Sequence, residues 1–136
     1  MSPEGAREEI ARRVDAIEGG YEMMLAYAAQ GLPTDQGAAN SGQLREFLTR
    51  FDAALTGLGD RFKAVAVAEG REPRAAIDAF LDLLNKDAQA AQACIRVVLA
   101  QKGISSQLVD NLNASIHVRA LLTDLFLIDE LLKGNG

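Results

Sequence analysis

Tryptophan is absent and aromatic residues make up only 5% of the chain, although almost half of its residues are apolar. A core of this composition is built from Ala, Leu, Val and Ile, which suits helices in close lateral contact. Cysteine is reduced to Cys94. An intramolecular disulfide and a cysteine-based zinc site within one chain are both excluded, and a reducing cytoplasm is the natural setting. Cations are outnumbered: the net charge is −5 and the pI about 4.8. General nucleic-acid binding needs clustered cations to displace counterions from phosphates, and anionic membranes need them too. Arg12–Arg13 and Arg71 with Arg74 are too few for either. No apolar run approaches the ~20 residues that span a bilayer. The N-terminus, MSPEGAREEIARR, lacks the apolar stretch of a secretion signal. Catalytic signatures are missing as well. There is no glycine-rich phosphate loop, no HExxH and no serine–histidine–aspartate order, and no cofactor is implied.

What is present is helical rhythm. The length of 136 residues suits a single domain spanning 1–136. Its three prolines, Pro3, Pro33 and Pro73, fall where helices start or loops run. Ser2 and Ser105 are placed as N-caps, with Pro3 and Glu4 in a first turn. Gly31, Gly70, Gly103 and Gly134 mark ends. Four segments result: about 3–30, 41–69, 73–102 and 105–133.

Each segment carries an apolar seam in alternating steps of three and four. The first reads Ile10, Val14, Ile17, Tyr21, Met24, Ala28. The second reads Leu44, Leu48, Phe51, Leu55, Leu58, Phe62, Val65. The third reads Ile77, Leu81, Leu84, Ala88, Ala91, Ile95, Val98, and the fourth Val118, Leu121, Leu125, Ile128, Leu132. Such seams belong to helices packed near +20°. The short links at 70–72 and 103–104 make neighbours antiparallel. The expected fold is all-α, an antiparallel up-down-up-down four-helix bundle with long helices.

Two glycine pairs interrupt this pattern. A glycine costs roughly 1 kcal/mol against alanine inside a helix, so Gly19–Gly20 and Gly57/Gly59 need compensation. In an antiparallel hairpin of the first two segments they fall at one height. Close backbone approach is one reading and a kink is another. The third is a ligand pocket near Gly19, Gly20, Gly57 and Gly59, lined by Tyr21, Met24 and Tyr27.

Candidate chemistry is sparse. His117 shares a seven-residue spacing with Asp110 and Asp124, which predicts one helix stripe. Residues seven apart stand about 10 Å apart along the axis, too far to hold one ion, so no metal site is assigned. Asp15, Glu18 and Glu22 form one acidic stripe and Asp78 with Asp82 another. Both read as solvated faces.

Two features are in surplus. Apolar residues lie beside the main seams: Phe80, Leu83, Cys94 and Val97 on the third segment, interrupted by Asp87, and Phe126, Leu127 and Leu131 on the fourth. A monomeric bundle needs one stripe per helix, so these predict a self-association interface, a homodimer in the simplest case. The second surplus is polar. Asn111, Asn113, His117 and Arg119 crowd one region and suit a hydrogen-bonding face for a protein partner. The expectation is a non-enzymatic, cytoplasmic protein-binding bundle acting as adaptor, assembly factor or regulator. A small-molecule-binding or sensory bundle is the alternative.

Overall fold

The computed structural model describes residues 2–37 and 41–133. The described residues form six helices and no strand: α1 (Pro3–Ala29), α2 (Ser41–Leu55), α3 (Leu58–Ala68), α4 (Arg74–Leu99), α5 (Ser106–Ala114) and α6 (Ile116–Lys133). The first and third expected segments form one helix each. The second and fourth are each broken in two, which corrects the reading of four uninterrupted helices.

Both breaks have local causes. Gly57 adopts φ +65°, a left-handed conformation that costs other residues roughly 1 kcal/mol or more, and it divides α2 from α3. Ser115 has φ −57° and ψ 132°, an extended residue between α5 and α6. Its backbone N–H donates to Leu112 O, and its Oγ accepts the His117 N–H at 3.2 Å. One serine thus closes one helix and opens the next. The other caps behave as their residue types suggest. Ser2 Oγ accepts from Gly5 N at 3.0 Å, and Ser105 Oγ from Leu108 N at 3.0 Å. The expected closing residue Gly134 lies outside the described residues.

The seams meet in one core. Every seam residue of the second segment is buried, including Leu55 and Leu58 on either side of the break. The rhythm of three and four runs straight through the interruption, because both helices face the same interior. α1 packs against α2, α3 and α5, while α4 packs against α2, α3, α5 and α6. α6 is therefore seated on α4, and the seam of α1 is only partly covered. Ile17 and Met24 are fully buried, but Ile10, Val14 and Tyr21 remain half-exposed.

The helix ends are held by arginines from elsewhere in the chain. The last four carbonyls of any helix lack intrahelical donors, and a guanidinium offers five N–H groups to satisfy them. Arg13 donates to Ala54 O and Thr56 O at the end of α2. Arg45 donates to Leu99 O, Gln101 O and Lys102 O at the end of α4. Arg7 and Arg71 both reach Leu132 O at the end of α6. Glu69 ties that last pair together, and their charges hold its carboxyl below the usual range, Arg7 having the larger effect.

An acid four residues before a base, as in Glu8–Arg12, Glu9–Arg13, Glu46–Arg50, Asp82–Lys86 and Asp129–Lys133, can pair along a helix, and the structure forms some of these pairs. Glu9–Arg13, Glu46–Arg50 and Asp129–Lys133 are formed. Arg12 turns to Glu9 instead of Glu8, and Asp82 reaches across to Lys63 on α3 at 2.5 Å.

Candidate functional site

The glycines divide into separate roles. A Cβ built at Gly20 would lie 2.6 Å from the Phe51 ring, so this glycine admits an aromatic side chain from α2 against the α1 backbone. Gly19 is looser, with the Phe47 ring 3.3 Å from such an atom. At Gly59 the obstacle would be Leu81 O at 2.4 Å, the mark of a close approach of α3 to α4. Gly59 N also donates to Asn85 Oδ1 at 2.7 Å. Gly57 faces open space and serves the helix break. Gly19 and Gly20 thus look toward α2, while Gly59 looks toward α4. Met24 and Tyr27 are fully buried in the core. Of the residues grouped with the glycines, Tyr21 alone lines one of the three clefts described below.

Tyr27 belongs to a polar knot where α1 ends and α5 begins. Its hydroxyl donates to Ile104 O at 2.5 Å, and Ser106 Oγ donates to Tyr27 O at 2.6 Å. Leu32 and Ser106 exchange bonds through Leu32 N to Ser106 Oγ and Ser106 N to Leu32 O. Asp35 is 2% exposed, accepts Ile104 N at 2.8 Å and pairs with Arg45 at 2.7 Å. The Arg45 guanidinium is the main reason its carboxyl sits below the ordinary range. Burial pushes the Tyr27 phenol up. No sequence spacing linked Asp35 in its loop to Arg45. Every member of this cluster is consumed by its neighbours, so its role is structural.

The other buried acid is different. Asp124 of α6 is 8% exposed, and no N–H or hydroxyl reaches its Oδ2. The group acting on it is Asp87, across the α4–α6 seam. Desolvation first, and then the neighbouring carboxyl, raise Asp124 to about 7. Asp124 therefore holds its proton far above the ordinary carboxylate range. The sequence carried a signal for this. Asp87 interrupts the second apolar stripe of α4, and Asp124 shares a stripe with Leu127 and Leu131. The seven-residue relation of Asp110 to His117 does not survive, because Ser115 separates α5 from α6, whereas His117 and Asp124 stay two turns apart on α6. His117 is exposed in the first turn of α6 while Asp124 is buried.

Two clefts flank the C-terminal half of α6. One, of about 450 Å³, lies between α4 and α6 over α3, and its lining includes Phe62, Ile77, Phe80, Leu127, Ile128 and Leu131. The other, of about 480 Å³, lies between α1 and α6 and is floored by Phe62 and Val65 of α3. The residues expected to form one self-association face are divided between them. Phe80, Leu127 and Leu131 line the first cleft, and Leu83 is exposed one turn further along α4. Phe126, 74% exposed, lines the second. Cys94 and Val97 lie toward the other end of α4. Cys94 is half-buried with its sulfur 3.7 Å from Ser115 Oγ, and Val97 is exposed.

The expected polar face keeps its exposure at Asn111, His117 and Arg119. Asn111 Oδ1 accepts from Gln107 at 3.1 Å. Asn113 is half-buried and lines a shallow, open depression of about 580 Å³ with Leu25, Pro33 and Gln107. Among the described residues no cluster of three or more His, Cys, Asp or Glu side chains is placed to hold a metal ion. No described helix is long and apolar enough to cross a membrane.

Comparison of the chain with protein-family models, with curated proteins and with solved structures finds no match.

Proposed function

We propose that this is a non-enzymatic protein-binding module whose primary contact is a second copy of itself, made through the α4–α6 face. In this reading α2 with α3, and α5 with α6, act as two bent rods, and the six helices work as an up-down-up-down bundle of four. The observation that carries the reading is the α4–α6 cleft and the ridge beside it. Leu83, Leu127 and Leu131 are each about half exposed, at 48%, 48% and 52%. Leu127 and Leu131 form one wall of a cleft that is almost wholly apolar and large enough to receive such side chains, and Leu83 lies one turn beyond Phe80 on its other wall. A ridge adjoining its own complementary groove is what a two-fold axis needs, since each copy can place its ridge in the other's groove. Apolar residues concentrated this way mark interaction sites, whereas singly scattered ones do not. An adaptor, assembly or regulatory role follows from the absence of a catalytic motif and from the exposed polar residues Asn111, His117 and Arg119.

The test is sedimentation equilibrium of the full chain beside a Leu127→Lys/Leu131→Lys variant. The native protein is expected at twice 14.5 kDa and the variant at 14.5 kDa with unchanged helical circular dichroism. A native protein that stays at the single-chain mass at high concentration overturns the proposal. So does a variant that still pairs.

A further inference from the structure

The second cleft has a chemical character of its own. We propose that the α1–α6 groove binds a small hydrophobic cation, an aliphatic chain or ring system carrying one ammonium group. Its volume of about 480 Å³ lies within the range of pockets for small organic ligands. On α1 it runs from Arg7 to Tyr21, which at 1.5 Å per residue is roughly 20 Å. The walls are seam residues that the bundle left uncovered. Ile10, Val14 and Tyr21 belong to the core face of α1 by their spacing, yet each remains half-exposed because α6 leans on α4.

Charge sets the ligand's polarity. At one end Arg7 and Asp129 are already engaged, Arg7 with Glu69 and Asp129 with Lys133. At the other end Asp15 and Glu18 line the groove, and among the described residues neither has an ion-pair partner. The Tyr21 hydroxyl beside them makes no hydrogen bond in the structure and lines the same space. Tyr21 and the exposed Phe126 ring supply aromatic faces of the kind that attract an ammonium. A cationic head therefore seats between Asp15, Glu18, Tyr21 and Phe126. Its apolar body lies along Ile10 and over Phe62.

The experiment is isothermal titration of the full chain at low ionic strength with decyltrimethylammonium and with decyl sulfate. The two share a chain length and differ in head-group sign, and both are used below their micelle-forming concentrations. Saturable one-to-one binding of the cation is expected, with the sulfate weaker by on the order of tenfold, since the two carboxylates attract one head group and repel the other. Asp15→Asn/Glu18→Gln is expected to erase that preference and leave residual binding of both chains. Ala11→Trp, on the exposed rim, is expected to weaken the cation at least about tenfold by filling the groove. Equal binding of both amphiphiles, preference retained in the double variant, undiminished binding to Ala11→Trp, or no saturable binding each overturn the proposal. The Leu127→Lys/Leu131→Lys variant is expected to bind the cation normally, which separates this site from the self-association face.

Discussion

Replacing Asp124 by Asn isolates the energetic consequence of the carboxyl pair in the α4–α6 seam. In the unfolded chain the aspartate titrates at its ordinary value of 3.8, and in the fold at about 7. Between those values the native state binds more protons than the unfolded state. Stability therefore falls as pH rises from about 4 to about 7, and is level above that. The span is about three pH units at about 1.4 kcal/mol each, on the order of 4 kcal/mol at its upper limit. Asp87 is only half-buried, so the ionised pair gains some solvation, and about 2 kcal/mol is the expected cost at pH 8. An asparagine stays neutral throughout and donates an N–H to Asp87. Asp124→Asn is thus expected to match the native protein near pH 4.5 and to exceed its stability by about 2 kcal/mol at pH 8. Urea unfolding followed by far-ultraviolet circular dichroism, at half-unit steps from pH 4.5 to 8.5, measures both curves. Two parallel curves, with no convergence on the acid side, would refute the reasoning.

Other outcomes follow from the same packing. Arg45→Met leaves Asp35 buried without its partner and the end of α4 uncapped, with an expected loss of 3 to 5 kcal/mol, about the usual penalty for breaking a buried pair. Asp35 itself is held below its ordinary value, so its contribution is present above that value and is lost as pH falls through the lower folded one. The acid unfolding limb is expected to change shape in Arg45→Met, which an acid titration by circular dichroism reads. Gly20→Ala forces a methyl into the Phe51 ring, at a cost of about 1 to 3 kcal/mol. Phe51→Leu in the same chain is expected to remove most of the added penalty, and a double-mutant cycle measures the coupling. At Gly57, alanine is expected to cost about 1 kcal/mol and asparagine less, since asparagine tolerates the left-handed conformation; thermal unfolding distinguishes them.

The residues that declared themselves in the sequence are those acting through periodicity. Leu44 through Val65 and Leu81 through Val98 were legible as buried because spacing alone fixes which way a helical side chain faces. The breaks at Gly57 and Ser115 were hidden for the same reason, since each pair of helices keeps one rhythm across its interruption. Gly57 showed its composition but not its φ. Features that depend on the third dimension left little trace. Asp35 meets Arg45 only because a loop folds back over the end of α4. Asp87 meets Asp124 only because α6 leans on α4, and the sequence offered merely two acids in apolar stripes. That same lean divides Phe126 from Leu127, which the linear reading placed on one surface. It also opens the groove beside Tyr21, where simple seam counting expects a covered core.

The clasp of Arg7, Arg71 and Glu69 on the last turn of α6 has a mechanical meaning. With its far end starting at the Ser115 corner, α6 is a beam supported at both ends and flanked by a void on each side. A sideways deflection that widens the space toward α1 narrows the space toward α4 by the same displacement. Asp124 lies in the span between that clasp and the Ser115 corner, so the group that changes charge near neutrality is carried by the beam and not by its supports.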